Sequence, residues 1–188
     1  MRIVTILGTS RPGNYTSHAL GLVNDELRAH EAEVTTFDPA ELVLGFPGVE
    51  GDGADAELLT AAVAAADGVV LATPEYHGGY AAMLKLILEN LGFPSVLAGK
   101  PVALLGVAAG RIGAIKSLEQ LRSVCAHVGA IVLPGSVSVA GVRNVFGADG
   151  TCNDEKAGAQ IRGLATKLTT YVAKHECPDA STERVARG

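Results

Sequence analysis

Gly68-Val69-Val70-Leu71-Ala72 is an unbroken apolar run that leads directly into Thr73-Pro74-Glu75-Tyr76-His77-Gly78-Gly79. A short apolar run bounded by proline and glycine is typical of a strand covered on both faces of a parallel sheet. A second run of this kind, Ile3–Leu7, opens the chain and is followed by a stretch rich in glycine and hydroxyl groups. Both patterns predict a buried strand that ends in an unusual loop.

Strand-like and helix-like segments alternate along the rest of the chain. Helical spacing of apolar residues covers 16–29, 54–66, 80–91, 113–127 and 154–174. Further strands are predicted over 33–38, 101–107 and 130–133, and residues 136–140 can extend the last of these. Five strands and five helices indicate a flavodoxin-like three-layer α/β sandwich, with a five-stranded parallel sheet in the order 2-1-3-4-5 and helices on both faces. In that order the two unusual loops meet at the switch point, where open α/β sheets bind ligands.

Length and composition limit the class of protein. The 188 residues predict one domain over 1–175 and a flexible C-terminal tail over 176–188. A net charge of −5 argues against nucleic acid as a partner, and no apolar run has membrane-spanning length. The three cysteines are far apart and match no metal or CxxC spacing, which indicates reduced thiols, no metal site and a cytoplasmic location. Cys125 falls on the apolar face of its helix and is interpreted as a core residue.

The loop after the first strand, 8–17, has the composition of a phosphate site. A helix N-terminus offers unpaired backbone N–H groups, and an arginine can neutralise the phosphate dianion. Neither GxxxxGK[ST] nor GxGxxG occurs, which argues against a nucleoside triphosphate site and a dinucleotide fingerprint. The alternative is that the hydroxyl residues only cap the helix and that the arginine is a solvated surface charge. The candidate phosphate ligands are Thr9, Arg11, Asn14, Tyr15 and Thr16.

The loop over 74–79 suits a flat heteroaromatic ring, so the two loops together indicate a mononucleotide site with flavin as the leading candidate. A third loop, 107–113, follows the fourth strand and can approach the ring from another side. His77 is interpreted as a residue that shapes its loop rather than an acid–base group. No catalytic side chain is assigned, because a flavin would itself carry the chemistry. The candidate ring ligands are Pro74, Glu75, Tyr76, His77, Gly78 and Gly79, with Gly110 and Arg111 from the third loop. Arg111 either faces solvent or reaches the phosphates of a nicotinamide nucleotide.

These loops resemble those of the NAD(P)H-dependent FMN reductases, a flavodoxin-like family that includes chromate, azo-dye and quinone reductases. Gly8-Thr9-Ser10-Arg11 is similar to the family's G-S-x-R motif. Pro74–Gly79 is similar to P-E-Y-N-G-S, with His for Asn and Gly for Ser. Leu84-Lys85 matches the L-K of P-G-x-L-K-N, although Ala81-Ala82 and Leu86 replace its P-G and its Asn. The resemblance extends from Met1 to about Leu133.

The resemblance implies an FMN-dependent enzyme that takes hydride from NADPH or NADH and passes electrons to a small-molecule acceptor. That acceptor would be a quinone, a metal oxyanion, an azo compound or free flavin. It also implies a homodimer or homotetramer, and the apolar residues of the helix over 80–91 either form such an interface or lie under the irregular 41–55 segment. The alternative function is a flavodoxin-type electron carrier. It is disfavoured because carriers usually have a T-x-T-G-x-T loop and aromatic residues flanking the ring, and the chain is poor in both.

Overall fold

The computed structural model describes residues 1–49 and 53–175; the tail predicted over 176–188 lies outside the described residues. The described strands are β1 (Arg2–Leu7), β2 (Glu33–Phe37), β3 (Gly68–Tyr76), β4 (Gly79–Tyr80), β5 (Pro101–Val107), β6 (Ile131–Val132) and β7 (Val137–Val139). The described helices are α1 (Tyr15–Ala29), α2 (Ala56–Ala65), α3 (Ala82–Glu89), α4 (Ile115–His127), α5 (Val142–Val145) and α6 (Glu155–His175).

The predicted fold class and strand order are confirmed, but the described residues contain seven strands rather than five. The main sheet is parallel, with the order β2-β1-β3-β5-β6. Both β6 and β7 pair with β5 in parallel, β6 at its start and β7 at its end. The predicted fifth strand is therefore split in two. Pro134 and Gly135 lie in the gap, where proline has no N–H to give to the ladder and Gly135 has a φ of +79°.

Helices cover both faces of the sheet, because its strands are apolar on both sides. Helices α1, α5 and α6 contribute to one core with residues such as Val70 and Leu105. Helices α2, α3 and α4 contribute to the other with residues such as Val69 and Leu104. Cys125 lies in this second core as predicted, and burial raises the pKa of its thiol to about 12. None of the helices in the described ranges has both the length and the apolar character needed to span a bilayer.

Two further sequence predictions are corrected. The predicted end of the third strand at Ala72 is wrong, since β3 continues to Tyr76. The helix predicted from Tyr80 begins at Ala82, because Gly79–Tyr80 pairs with the end of β3 as β4. The apolar face of α3 is buried, and Leu42 and Leu44 of the 41–55 segment pack against the same core.

The close approach of β5 to α4 requires a residue without a side chain at position 106. A Cβ atom on Gly106 would lie 2.7 Å from Ala114 Cβ and 2.8 Å from Leu118 Cγ. Gly106→Ala should therefore lower the free energy of unfolding by roughly 1–3 kcal/mol, measured by urea denaturation. The matched control is Gly21→Ala on α1, where a Cβ meets no atom within 4 Å. Gly21→Ala should raise the free energy of unfolding by about 0.5–1 kcal/mol. A decrease of similar size in both variants would show that the loss in Gly106→Ala does not come from the contact between β5 and α4.

Candidate functional site

The candidate site is a cleft of about 340 Å³ at the edge of the sheet where β1, β3 and β5 end. The parallel register pairs Leu7 with Ala72, and Pro74 with Val107, so these strands leave the sheet at the same edge. The cleft is lined by Arg11, Pro12, Gly13, Asn14, Tyr15, Thr16, Pro74, Glu75, Tyr76, Val107, Ala108, Ala109, Val142 and Arg143. All three loops that the sequence singled out therefore contribute to one cleft.

Asn14 shapes the first loop as the N-cap of α1. Its Oδ1 accepts a 2.7 Å hydrogen bond from the Ser17 N–H, and its Nδ2 donates a 2.8 Å bond to the Arg11 carbonyl. The side-chain amide is thus used within the loop. The N–H groups of Tyr15 and Thr16 are in the first turn of α1, where no intrahelical acceptor exists. Since both residues line the cleft, the positive end of the α1 dipole faces it.

Tyr76 connects the first loop to the end of β3. Its hydroxyl lies 3.3 Å from Oγ1 of the buried Thr9, which also accepts a 3.3 Å hydrogen bond from the Arg11 N–H. The guanidinium carbon of Arg11 lies 4.9 Å from the centre of the Tyr76 ring, a cation–π distance. Thr9 therefore supports the wall of the cleft from behind and does not line it.

The segment predicted as a loop over 73–79 is largely a hairpin. Glu75 pairs with Tyr80 and Tyr76 with Gly79 in antiparallel register, which leaves a two-residue turn. His77 and Gly78 in that turn have φ values of +52° and +75°. Turns with two positive φ values match the right-handed twist of the strands and are common in short hairpins. His77 is exposed at the tip of the hairpin and does not line the cleft.

Glu75 fastens this hairpin to α4. Its Oε2 accepts a 3.1 Å hydrogen bond from the Ser117 N–H, in the first turn of α4. Gln120 Nε2 adds a second link by donating a 3.2 Å bond to the Gly78 carbonyl. Since the helix N-terminus already holds the carboxylate, Glu75 acts as a cap supplied by a strand. This arrangement fixes the cleft wall on α4.

The third loop brings in α5, whose two lining residues sequence reasoning missed. The carbonyl of Ala108 accepts a 3.1 Å hydrogen bond from the Val142 N–H, and that of Gly110 a 3.0 Å bond from the Gly141 N–H. These bonds draw Val142 and Arg143 into the cleft wall. A one-turn helix has no hydrophobic periodicity, so the signal in the sequence was an arginine two residues after a glycine.

The predicted site residues are therefore divided by the structure, and their roles as cofactor ligands stay predictions. Those that line the cleft are Arg11, Asn14, Tyr15, Thr16, Pro74, Glu75 and Tyr76. Those that do not are Thr9, His77, Gly78, Gly79, Gly110 and Arg111.

The cleft is positively charged although the chain is acidic. Its lining has two arginines, Arg11 and Arg143, and one carboxylate, which α4 already holds. Within the described part of the chain, neither arginine forms an ion pair with a carboxylate. The net charge of the whole chain is −5. An anionic ligand is therefore favoured in the cleft and disfavoured over much of the remaining surface.

Comparisons with known proteins show which family the chain is similar to. Residues 1–144 match the family model described as NADPH-dependent FMN reductase. An NADPH azoreductase of Bacillus sp. (strain OY1-2) is 34% identical over 178 residues, which cover 94% of this chain and 95% of the relative. An NAD(P)H-dependent FMN reductase of Pseudomonas aeruginosa is 29% identical, with coverage of 93% and 96%. Among solved structures, the flavoenzyme NAD(P)H:(acceptor) oxidoreductase FerB of Paracoccus denitrificans is similar, with a TM-score of 0.73, 23% identity and coverage of 93% and 98%.

The hairpin turn predicts how position 77 responds to substitution. His77 has a left-handed backbone conformation, which asparagine adopts readily and β-branched residues resist. His77→Asn should raise the free energy of unfolding by about 0.5 kcal/mol, whereas His77→Val should lower it by roughly 1–2 kcal/mol. Chemical denaturation of the two variants checks this expectation. Equal effects of the two substitutions would show that the turn does not hold position 77 in this conformation.

Proposed function

Because the chain belongs to the NADPH-dependent FMN reductase family, we propose that it is an FMN-dependent oxidoreductase that transfers electrons from NADPH or NADH to a small-molecule acceptor. The observation that supports this most strongly is the cleft, which joins an anion-binding helix terminus to a fixed wall at the ends of two buried strands. Its volume falls within the range of small-molecule sites, roughly 300–1,000 Å³.

The end of the cleft at α1 fits the phosphate of FMN. Arg11 supplies a cation, while Tyr15 and Thr16 supply backbone donors at the positive end of a 15-residue helix. Asn14 contributes indirectly, because its amide holds the Arg11 carbonyl and the first turn of α1 in place. A phosphate bound here would replace the solvent that these groups contact in its absence.

The opposite end of the cleft fits a flat ring. Pro74 and Val107 are the last pair of the β3–β5 ladder, so the wall that they form is rigid. Ala108 and Ala109 continue this wall with small side chains. FMN, when bound, supplies the redox chemistry by taking up a hydride from the reduced nicotinamide and giving two electrons to the acceptor. The chain itself binds, orients and excludes water.

Two residues of the cleft, Glu75 and Tyr76, hold its walls in place. Glu75 spans from the ring end of the cleft to α4 and fixes the hairpin, so it positions the wall. Tyr76 ties the two ends of the cleft together through Thr9 and Arg11.

An azo compound or a quinone is the proposed acceptor. The 34% identical relative is named as an azoreductase, and both acceptor types are flat conjugated molecules that can take the place of the nicotinamide after it leaves. An electron carrier is not favoured, because the relatives named above are reductases. A cytoplasmic location is part of the proposal and is consistent with the free thiols of Cys125 and Cys152.

An anaerobic titration tests the proposed activity. The protein is mixed with FMN, and the absorbance of the oxidised flavin is followed after addition of one equivalent of NADPH or, separately, NADH. We expect bleaching within seconds with at least one coenzyme, and recovery of the absorbance when an azo dye or a quinone is added. Free FMN at the same concentration is the control. Binding without bleaching by either coenzyme would overturn the reductase assignment in favour of an electron carrier, and absence of FMN binding would overturn the site.

We also propose a homodimer, supported by apolar side chains near the end of α3. The exposed fraction is 70% for Phe46 and 93% for Phe93, and a 3.0 Å hydrogen bond from Asn90 Nδ2 to the Gly45 carbonyl joins the segments that carry them. Large exposed apolar side chains grouped in this way are typical of interfaces between subunits. Light scattering coupled to gel filtration should give the mass of a dimer or larger assembly. Phe46→Ser with Phe93→Ser should lower that mass to one chain, and an unchanged mass would contradict this interface.

A further inference from the structure

We propose that Arg143 on α5 is a second binding residue for the phosphate of FMN, acting together with Arg11. This inference rests on the proposed function, because it assigns a ligand group to one end of the same cleft. It differs from the sequence expectation, which placed all phosphate ligands on the loop after β1.

The first loop has fewer free donors than its composition suggests. The Thr9 hydroxyl is engaged with Tyr76 and the Arg11 N–H, and the Asn14 amide with Ser17 and the Arg11 carbonyl. Arg11 is therefore the cation that this loop offers to a group carrying about −1.5 to −2 charges at neutral pH. Arg11 neutralises at most one of these charges, and Arg143 is the other arginine in the cleft lining.

The backbone that carries Arg143 is fixed at both ends. Its entry is held by the hydrogen bonds from Gly141 and Val142 to the third loop, at 3.0 Å and 3.1 Å. Its exit is held by a 2.8 Å bond from the Asn153 N–H to the Val145 carbonyl. The apolar residues on either side of Arg143, Val142 and Val145, are buried in the core. Such preorganisation lowers the entropy lost when an arginine binds a ligand.

Helix α5 also lies beside the helix terminus assigned to the phosphate. The rings of Phe146, directly after α5, and His18 have centroids 6.0 Å apart. His18 in turn contacts Tyr15 edge to face, again with 6.0 Å between centroids. The end of α5 therefore rests on the first turn of α1. Arg143 is exposed and forms no ion pair within the described chain, so its guanidinium is free to bind an anion.

Comparing FMN with riboflavin isolates the phosphate, because the two ligands differ only by that group. Dissociation constants are measured by flavin fluorescence for the full chain and for Arg143→Ala. We expect the constant for FMN to rise about tenfold or more, the effect of losing one charge-assisted hydrogen bond. The constant for riboflavin should change less than twofold. The FMN dissociation constant of Arg143→Lys should fall between those of the full chain and Arg143→Ala, because lysine keeps the charge without the forked geometry.

Two controls complete the design. Arg11→Ala should show the same selective loss of FMN affinity. Arg28→Ala removes an equal charge at the far end of α1, ~20 Å from the first turn, and should affect neither ligand. Circular dichroism verifies that each variant is folded.

Three other results would overturn the role proposed for Arg143. Unchanged FMN affinity in Arg143→Ala, with the loss present in Arg11→Ala, would overturn the role of Arg143 and leave the proposed function intact. Equal losses for FMN and riboflavin would also overturn it, because the arginine would then act on the ring or the fold. A natural chain that binds neither flavin would overturn the proposed function and this inference together.

Discussion

The end of parallel pairing at Pro74 and Val107 is the constraint on which the site depends. Beyond this pair, β3 continues without β5 and folds back on itself as the β3–β4 hairpin, while the chain after β5 turns towards α5. The space between these diverging segments and the first turn of α1 is the cleft. Because the strands below are buried on both faces, the sheet fixes this geometry before any ligand is present.

The walls of the cleft are held by contacts between segments that are distant in sequence. Glu75 is bound by α4, Tyr76 by the first loop, and α5 by the third loop. Each contact joins one wall of the cleft to another segment of the fold. A loop held in this way loses little conformational entropy when a ligand binds, so more of the contact energy becomes affinity.

The sequence predicted the elements that have a local pattern and missed those that depend on distant partners. Apolar runs and helical spacing identified β1, β3, β5 and the five long helices, and hence the strand order. Nothing in the two residues Gly79–Tyr80 indicates a strand, because β4 exists only through its pairing with the end of β3. The same holds for Asn14: its residue type suggested a ligand, whereas its position at the N-cap gives its amide other partners.

The distribution of charge indicates that the two ends of the cleft bind different parts of a ligand. The arginines that face it are on the first loop and on α5, next to the α1 terminus, whereas proline, valine and alanine form the wall at the ends of β3 and β5. A ligand with an anionic end and a flat uncharged ring therefore has one favourable orientation, since reversal would bury the anion against apolar groups and leave both arginines without a partner. Desolvation makes such a reversal costly. If FMN binds as proposed, groups at the opposite end of the cleft would orient its ring, and the protein would need no catalytic side chain beside it.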